Sequence, residues 1–351
     1  MGFFMDFIHR AKLDLWRTHD EEADFVVHRV HKKHRRYVFS LGKSNVRHIA
    51  VLLGSGLCCL VFSVSAIKLV TYVKDYYASR QATEALRNAY YTEQFTPAAA
   101  TAVSATLSSA ECTSTPSPEV AFPQNPTAMP ADRLEEAKYP YNPYNIVSAR
   151  FLKLREQNND IIGWLKVDGI VDEAVVQRDN EYYLDRDYRG YHNANGAIFL
   201  DENCDLSARP YTYLLYGHNM KSGLMFGGLR NYEDITFYRS NPFVTFDTVY
   251  EDGRYVIFAV ATVSIDPANW RYVDFTKLHS PVIATRQQAL QTLIYRSRYE
   301  CTIDVQPQDQ LLLLVTCVGD DAERRVVAAR RIREDETETA LRRMVRKTTI
   351  R

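Results

Sequence analysis

The chain has 351 residues, 46% of them hydrophobic, enough to build one or two packed domains. Its 43 basic and 43 acidic side chains balance to a formal charge of zero, so the total gives no support to a nucleic-acid partner. The six cysteines are too few and too scattered for a disulfide scaffold or a CxxC metal centre.

The charge is nevertheless unevenly placed. Arg29 to Arg47 holds seven Lys or Arg residues and no acid, and directly after it comes "IAVLLGSGLCCLVFSVSAI", 19 uncharged and mostly apolar residues from Ile49 to Ile67. A helix of that length crosses a hydrocarbon core of ~30 Å. A signal peptide would have a short leading region and a shorter apolar core, whereas 48 residues come first here. The basic flank orients such an anchor with residues 1–48 in the cytoplasm and everything beyond the span outside, a single-pass type II arrangement in the cell membrane. The basic run also suits contact with anionic lipid. Cys58 and Cys59 fall in the span, and Cys112, Cys204, Cys301 and Cys317 fall outside it. A Cys204–Cys301 bridge stays open, because sequence does not fix proximity.

Past the span (49–73), the stretch "KDYYASRQATEALRNAYY" can continue as a helical stalk, followed by a segment dense in Ala, Ser, Thr and Pro. That composition cannot bury enough apolar surface to offset chain entropy, so 74–143 reads as stalk and spacer. A folded domain is expected over 144–335. It opens with a helical pattern from Ile146 to Leu154. Short β-rich runs follow at Gly163 to Val167, Val175 to Gln177, Ala197 to Leu200, Thr212 to Gly217, Phe243 to Asp247 and Tyr255 to Ser264. Thr285 and Gln288 form a capping box ahead of a helix with Leu290, Leu293 and Ile294 on one face. Two last strands, Gln310 to Cys317 and Arg324 to Ile332, flank a turn, and 336–351 is a charged tail. Many short strands with few helices point to a mainly β fold, a closed or nearly closed barrel.

Cys317 stands at the exit of an all-apolar strand, and an antiparallel partner would bring Arg324 or Arg325 to the same end. A thiol beside a fixed cation has its thiolate favoured, and the same guanidinium can stabilise an oxyanion. A buried structural cysteine near solvated arginines explains the same residues. A cysteine nucleophile also needs an acid/base partner. Six of the nine histidines precede the span. Of His192, His218 and His279, only His218 ends an apolar strand as Cys317 does.

"LLYGHNMKSGLMFGGL" and "LLVTCVGDDAERRVV" together resemble the two signature regions of the class B sortases, the cysteine transpeptidases of Gram-positive bacteria. "NNDIIGWLKVDG", "VVQRDNEYYLDRDY" and "NGAIFLDENCD" extend the likeness over nearly all of residues 145 to 332. The resemblance implies a closed eight-stranded β-barrel with an N-terminal helix and a helix before the cysteine strand. It puts the family's histidine on His218, its cysteine on Cys317 and its arginine on Arg324, with Arg325 as runner-up because alternation places the two on opposite faces. It implies secreted surface proteins or pilins with a C-terminal sorting motif as substrates, and an amine such as a lipid-linked peptidoglycan precursor as acceptor. No cofactor and no metal are implied. Leu313 stands where the family usually has Thr, and Glu173-Ala174 where class B members often have Tyr-Pro. Hydrolysis without transfer, and a non-catalytic adhesion or scaffold domain, remain as alternatives.

Overall fold

The computed structural model describes residues 43–94, 132–135, 137–318 and 320–351. The basic segment before residue 43, Cys112 and most of the Ala/Ser/Thr/Pro-rich spacer lie outside the described residues. The chain divides into two units, Met1–Tyr72 and Val73–Arg351.

In the first unit, helix α1 (Lys43–Gln94, continuing into the second) carries apolar side chains exposed on all sides, Leu52, Leu57 and Phe62 among them. Over Ala50–Thr92 it is long and apolar enough to cross a membrane.

In the second unit, eight strands close a barrel in the order β1-β2-β3-β4-β8-β9-β6-β5. They are β1 (Ile161–Val167), β2 (Val171–Val176), β3 (Ile198–Leu200), β4 (Thr212–Tyr216), β5 (Phe243–Thr248), β6 (Arg254–Ser264), β8 (Leu311–Val318) and β9 (Asp320–Arg331). The fold expected from the sequence is the one formed. Leu311 to Val315 is apolar at every position because β8 lies between β4 and β9 and is buried on both faces. Leu313, the departure noted above, is fully buried in the barrel core.

A second core lies outside β1 and β2. Strand alternation sends Leu165 into the barrel and Trp164 outward, where the last turns of α1 cover it with Ala82, Leu86 and Tyr90. The Tyr90 ring stacks on Trp164 at 4.5 Å, and its hydroxyl donates to Asp247. Trp164 Nε1 and Tyr91 Oη both donate to Asp172 Oδ1, at 2.8 and 3.0 Å. Residues of α1 that read as stalk are therefore a packed part of this unit. Phe151 and Leu154 of helix α2 (Ala149–Arg155) complete the cluster.

Helix α3 (Ile235–Ser240) is capped by Asp234, which accepts from Thr236 N–H. Helix α4 (Ile283–Arg296) starts ahead of Thr285, so the expected capping box does not form. Its N-cap is Val282 with no side-chain cap, and the Ile283 N–H donates instead to the Asp132 carbonyl at 2.9 Å. A distant backbone oxygen thus takes the orphan donor that a side chain would have taken. From α4 the buried Arg286 donates to the carbonyls of Pro307 (2.6 Å), Tyr211 (2.9 Å) and Asp309 (2.8 Å) and to Thr212 Oγ1 (2.9 Å). That network fixes the starts of β4 and β8. The segment read as a charged tail forms helix α5 (Glu338–Val345), with Leu341 and Val345 buried, and a short strand β10 (Thr349–Ile350) pairs with β7 (Tyr299–Glu300). The Cys204–Cys301 bridge does not form, since both thiols are free.

Candidate active site

Strand register decides which side chains meet at the far ends of β4 and β8. The two strands run parallel with Tyr216 opposite Val315, and His218 and Cys317 each follow two residues later. Gly217 N–H donates to the Val315 carbonyl at 3.3 Å, and Asn219 Nδ2 donates to the Cys317 carbonyl at 2.8 Å, so the chain leaving β4 stays beside the end of β8. Antiparallel pairing of β8 with β9 sets Cys317 directly across from Arg324. Directly opposed residues share a face. The three sequence-predicted residues are thereby gathered at one end of the barrel.

Alternation separates the two arginines. Arg325 pairs with Thr316 on the other face, is buried, and its guanidinium holds the Glu233 carboxylate. Arg324 is half-buried, with Nη1 donating to the Glu323 carbonyl at 3.0 Å. Its charge acts on Tyr216, whose hydroxyl is held above its ordinary range by burial and by Asp201 while Arg324 opposes both.

The loop after His218 folds back tightly. Phe226 N–H donates to the His218 carbonyl at 3.0 Å, and a Cβ at Gly227 would lie 2.0 Å from the Met220 carbonyl oxygen, so only glycine fits. His218 Nε2 lies 2.6 Å from the Leu184 carbonyl, which makes Nε2 the protonated nitrogen and leaves Nδ1 for other partners. Gly196, at φ +64°, keeps this contact open. A Cβ there would stand 2.7 Å from the Leu184 oxygen and 3.1 Å from His218 Cδ2.

The other candidates lie elsewhere. His192 faces Asp185 at 3.4 Å and is largely exposed. His279 follows Leu278, whose carbonyl accepts from Thr212 at the opposite end of β4 from His218. Cys204 is buried, its thiol pushed up to about 12 by that burial, whereas Cys317 is exposed. Among the described residues, no group of three or more His, Cys, Asp or Glu could hold a metal. The sequence reading missed Leu184 and Gly196, since a carbonyl acceptor leaves no side-chain signature. Asn219 was within view, next to His218 in "YGHN".

No protein-family model matches the sequence. The chain is 30% identical to sortase B of Staphylococcus aureus over 195 residues, 53% of this chain and 76% of that protein. The chain belongs to the sortase B family. It is also 30% identical to sortase B of Listeria monocytogenes over 166 residues, 47% of this chain and 65% of that protein. A Bacillus anthracis protein described as similar to sortase B, and sortase B of Bacillus anthracis, superpose with TM-scores of 0.52 and 0.53. The first is 27% identical and covers 73% of this chain and 97% of its own, and the second is 26% identical and covers 74% and 98%. The closed barrel with a helix before it is thus a sortase B architecture.

Proposed function

We propose that this sortase B homologue is a membrane-anchored cysteine transpeptidase in which Cys317, His218 and Arg324 do the chemistry. The observation that carries this reading is the register that sets Cys317 across from Arg324 on one side and beside the His218 segment on the other.

In the first step the Cys317 thiolate attacks the carbonyl carbon of a threonine in a sorting motif, forming an S–C bond and an oxyanion. Arg324, with a backbone N–H near Val318, stabilises that oxyanion. As the tetrahedral adduct collapses, the C–N bond breaks and His218 gives its proton to the departing amine, leaving a thioester. An incoming amine then attacks the thioester and passes its proton to His218. The S–C bond breaks, and a new amide is released.

Family membership supports a secreted surface protein or pilin as acyl donor and an amine of a peptidoglycan precursor or pilin as acceptor. The apolar part of α1, preceded by basic residues, supports a type II anchor with the barrel outside the cell. Tethering raises the effective concentration of partners at the same membrane surface. The test is product analysis of the full chain with threonine-containing sorting peptides and an amine. An amide-linked product supports transfer, and cleaved peptide alone, with water as acceptor, contradicts it.

A further inference from the structure

An open cleft of about 340 Å³ between two helices is lined by Thr236, Arg239 and Ser240 of α3 together with Arg342 and, just past α5, Arg346. Three arginines line it in a chain whose overall charge is zero.

The acids on these two helices are turned to other work. Glu338, the only acid within α5, holds Arg254 Nε at 2.8 Å, and Asp234 caps α3. No ion pair joins Arg239, Arg342 or Arg346 to any described residue. Their guanidinium donors are mostly unused: Arg239 Nη2 reaches the Thr348 carbonyl at 2.6 Å and Arg342 Nη1 the Ser240 carbonyl at 3.3 Å. Arg239 Nε is buried with no partner at all. Arg342 is further steadied by lying over the Phe243 ring at 4.8 Å. Arginines held together with no ion pair of their own favour an anion between them. Forked guanidinium donors match the tetrahedral oxygens of a phosphate group, with the Thr236 hydroxyl beside them, whereas the Ser240 hydroxyl already donates to the Thr236 carbonyl at 2.8 Å.

We propose that Arg239, Arg342 and Arg346, with Thr236 alongside, form a binding site for a phosphate group, remote from Cys317. The remoteness follows from register. Phe243, beneath Arg342, pairs with Val256, while Arg324 pairs with Val263, seven residues further along β6 and hence about 20 Å away. The site is independent of the catalytic assignment.

The test is a titration of inorganic phosphate into the full chain in non-ionic detergent, at an ionic strength held constant with chloride, with melting temperature as readout. A ligand that binds only the folded state raises it in a saturable way. The wild type is expected to show that rise. Arg346→Gln, at an exposed side chain with no described partner, is expected to weaken the apparent affinity at least about fivefold, and Arg342→Gln with Arg346→Gln to abolish it. Arg342→Lys, which keeps charge but loses the fork, should fall between. In a parallel arm, phosphatidylglycerol added to the micelles is compared with phosphatidylcholine. A response to free phosphate assigns a soluble phosphate group, and a response only to phosphatidylglycerol assigns a lipid headgroup. Absence of a saturable rise in both arms, or a rise that the variants leave unchanged, overturns the proposal.

Discussion

Cys317 and Arg324 are direct partners across an antiparallel strand pair, while Arg325, one residue on, is buried on the other face against Glu233. The adjacent arginines are therefore expected to fail differently. Arg324→Lys removes a forked donor from the face that carries the thiol and should lower kcat by about 10²- to 10³-fold, with the melting temperature little changed. Arg325→Met leaves Glu233 without its partner and should lower stability while kcat falls far less. Steady-state kinetics and thermal melts of both variants check the split.

The Leu184 carbonyl at 2.6 Å from His218 Nε2 is a positioning contact that Gly196 keeps open. Gly196→Ala puts a methyl group against both and asks for a left-handed backbone, at about 1–2 kcal/mol. The expected result is a drop in kcat of tenfold or more with KM nearly unchanged. A variant at Gly169, also at positive φ but with open space around it, serves as the control for backbone strain alone. An equal kcat for Gly169→Ala and Gly196→Ala would remove the positioning role.

Arg286 ties α4 to the first residues of β4 and β8 through a cage of carbonyls, and its burial lowers its pKa to about 10. Arg286→Met should cost about 3 kcal/mol or more, because several buried carbonyls lose a charged donor together. Chemical denaturation of the purified variant measures the loss.

Glu173 and Ala174 line a small cavity of about 20 Å³ beneath α1, with Ala82 and Leu86. The Glu173 residue keeps some accessible surface, yet burial dominates at its carboxyl and raises it to about 7, with Asp172 adding to the rise and Arg87 opposing it. The folded value lies above the unfolded value of ~4.3, so the protein holds a proton there that the unfolded chain has already released. The stabilising contribution is complete below pH ~4 and is lost as pH rises through about 7. Glu173→Gln should flatten the pH dependence of stability between those limits by on the order of 1 kcal/mol. Denaturant midpoints across that range provide the check.

The barrel was legible because its strands announce themselves: all-apolar β8 between two neighbours, and turn residues between the other runs. His218 and Cys317 stood out as candidates because both end apolar runs and their stretches resemble the sortase signatures, while the parallel pairing that sets the two strand ends side by side left no mark in the sequence. Three further features were not legible. The start of α4 depends on the Asp132 carbonyl, 151 residues upstream of the Ile283 N–H that it accepts. The last turns of α1 pack on Trp164 through Leu86 and Tyr90, a face hidden in a sequence that also suits a free stalk. Leu341 and Val345 sit among so many charges that their burial shows only once α5 meets the barrel.

The proposed transfer requires Cys317 as the acyl carrier. Intact mass spectrometry of the full chain with threonine-containing sorting peptides, in parallel with Cys317→Ala, measures this directly. A peptide adduct on Cys317 of the wild type that disappears into an amide when an amine is added, with no adduct on the variant, is the expected result. An adduct that survives Cys317→Ala, or amide product formed by that variant, would rule out Cys317 as the acyl carrier.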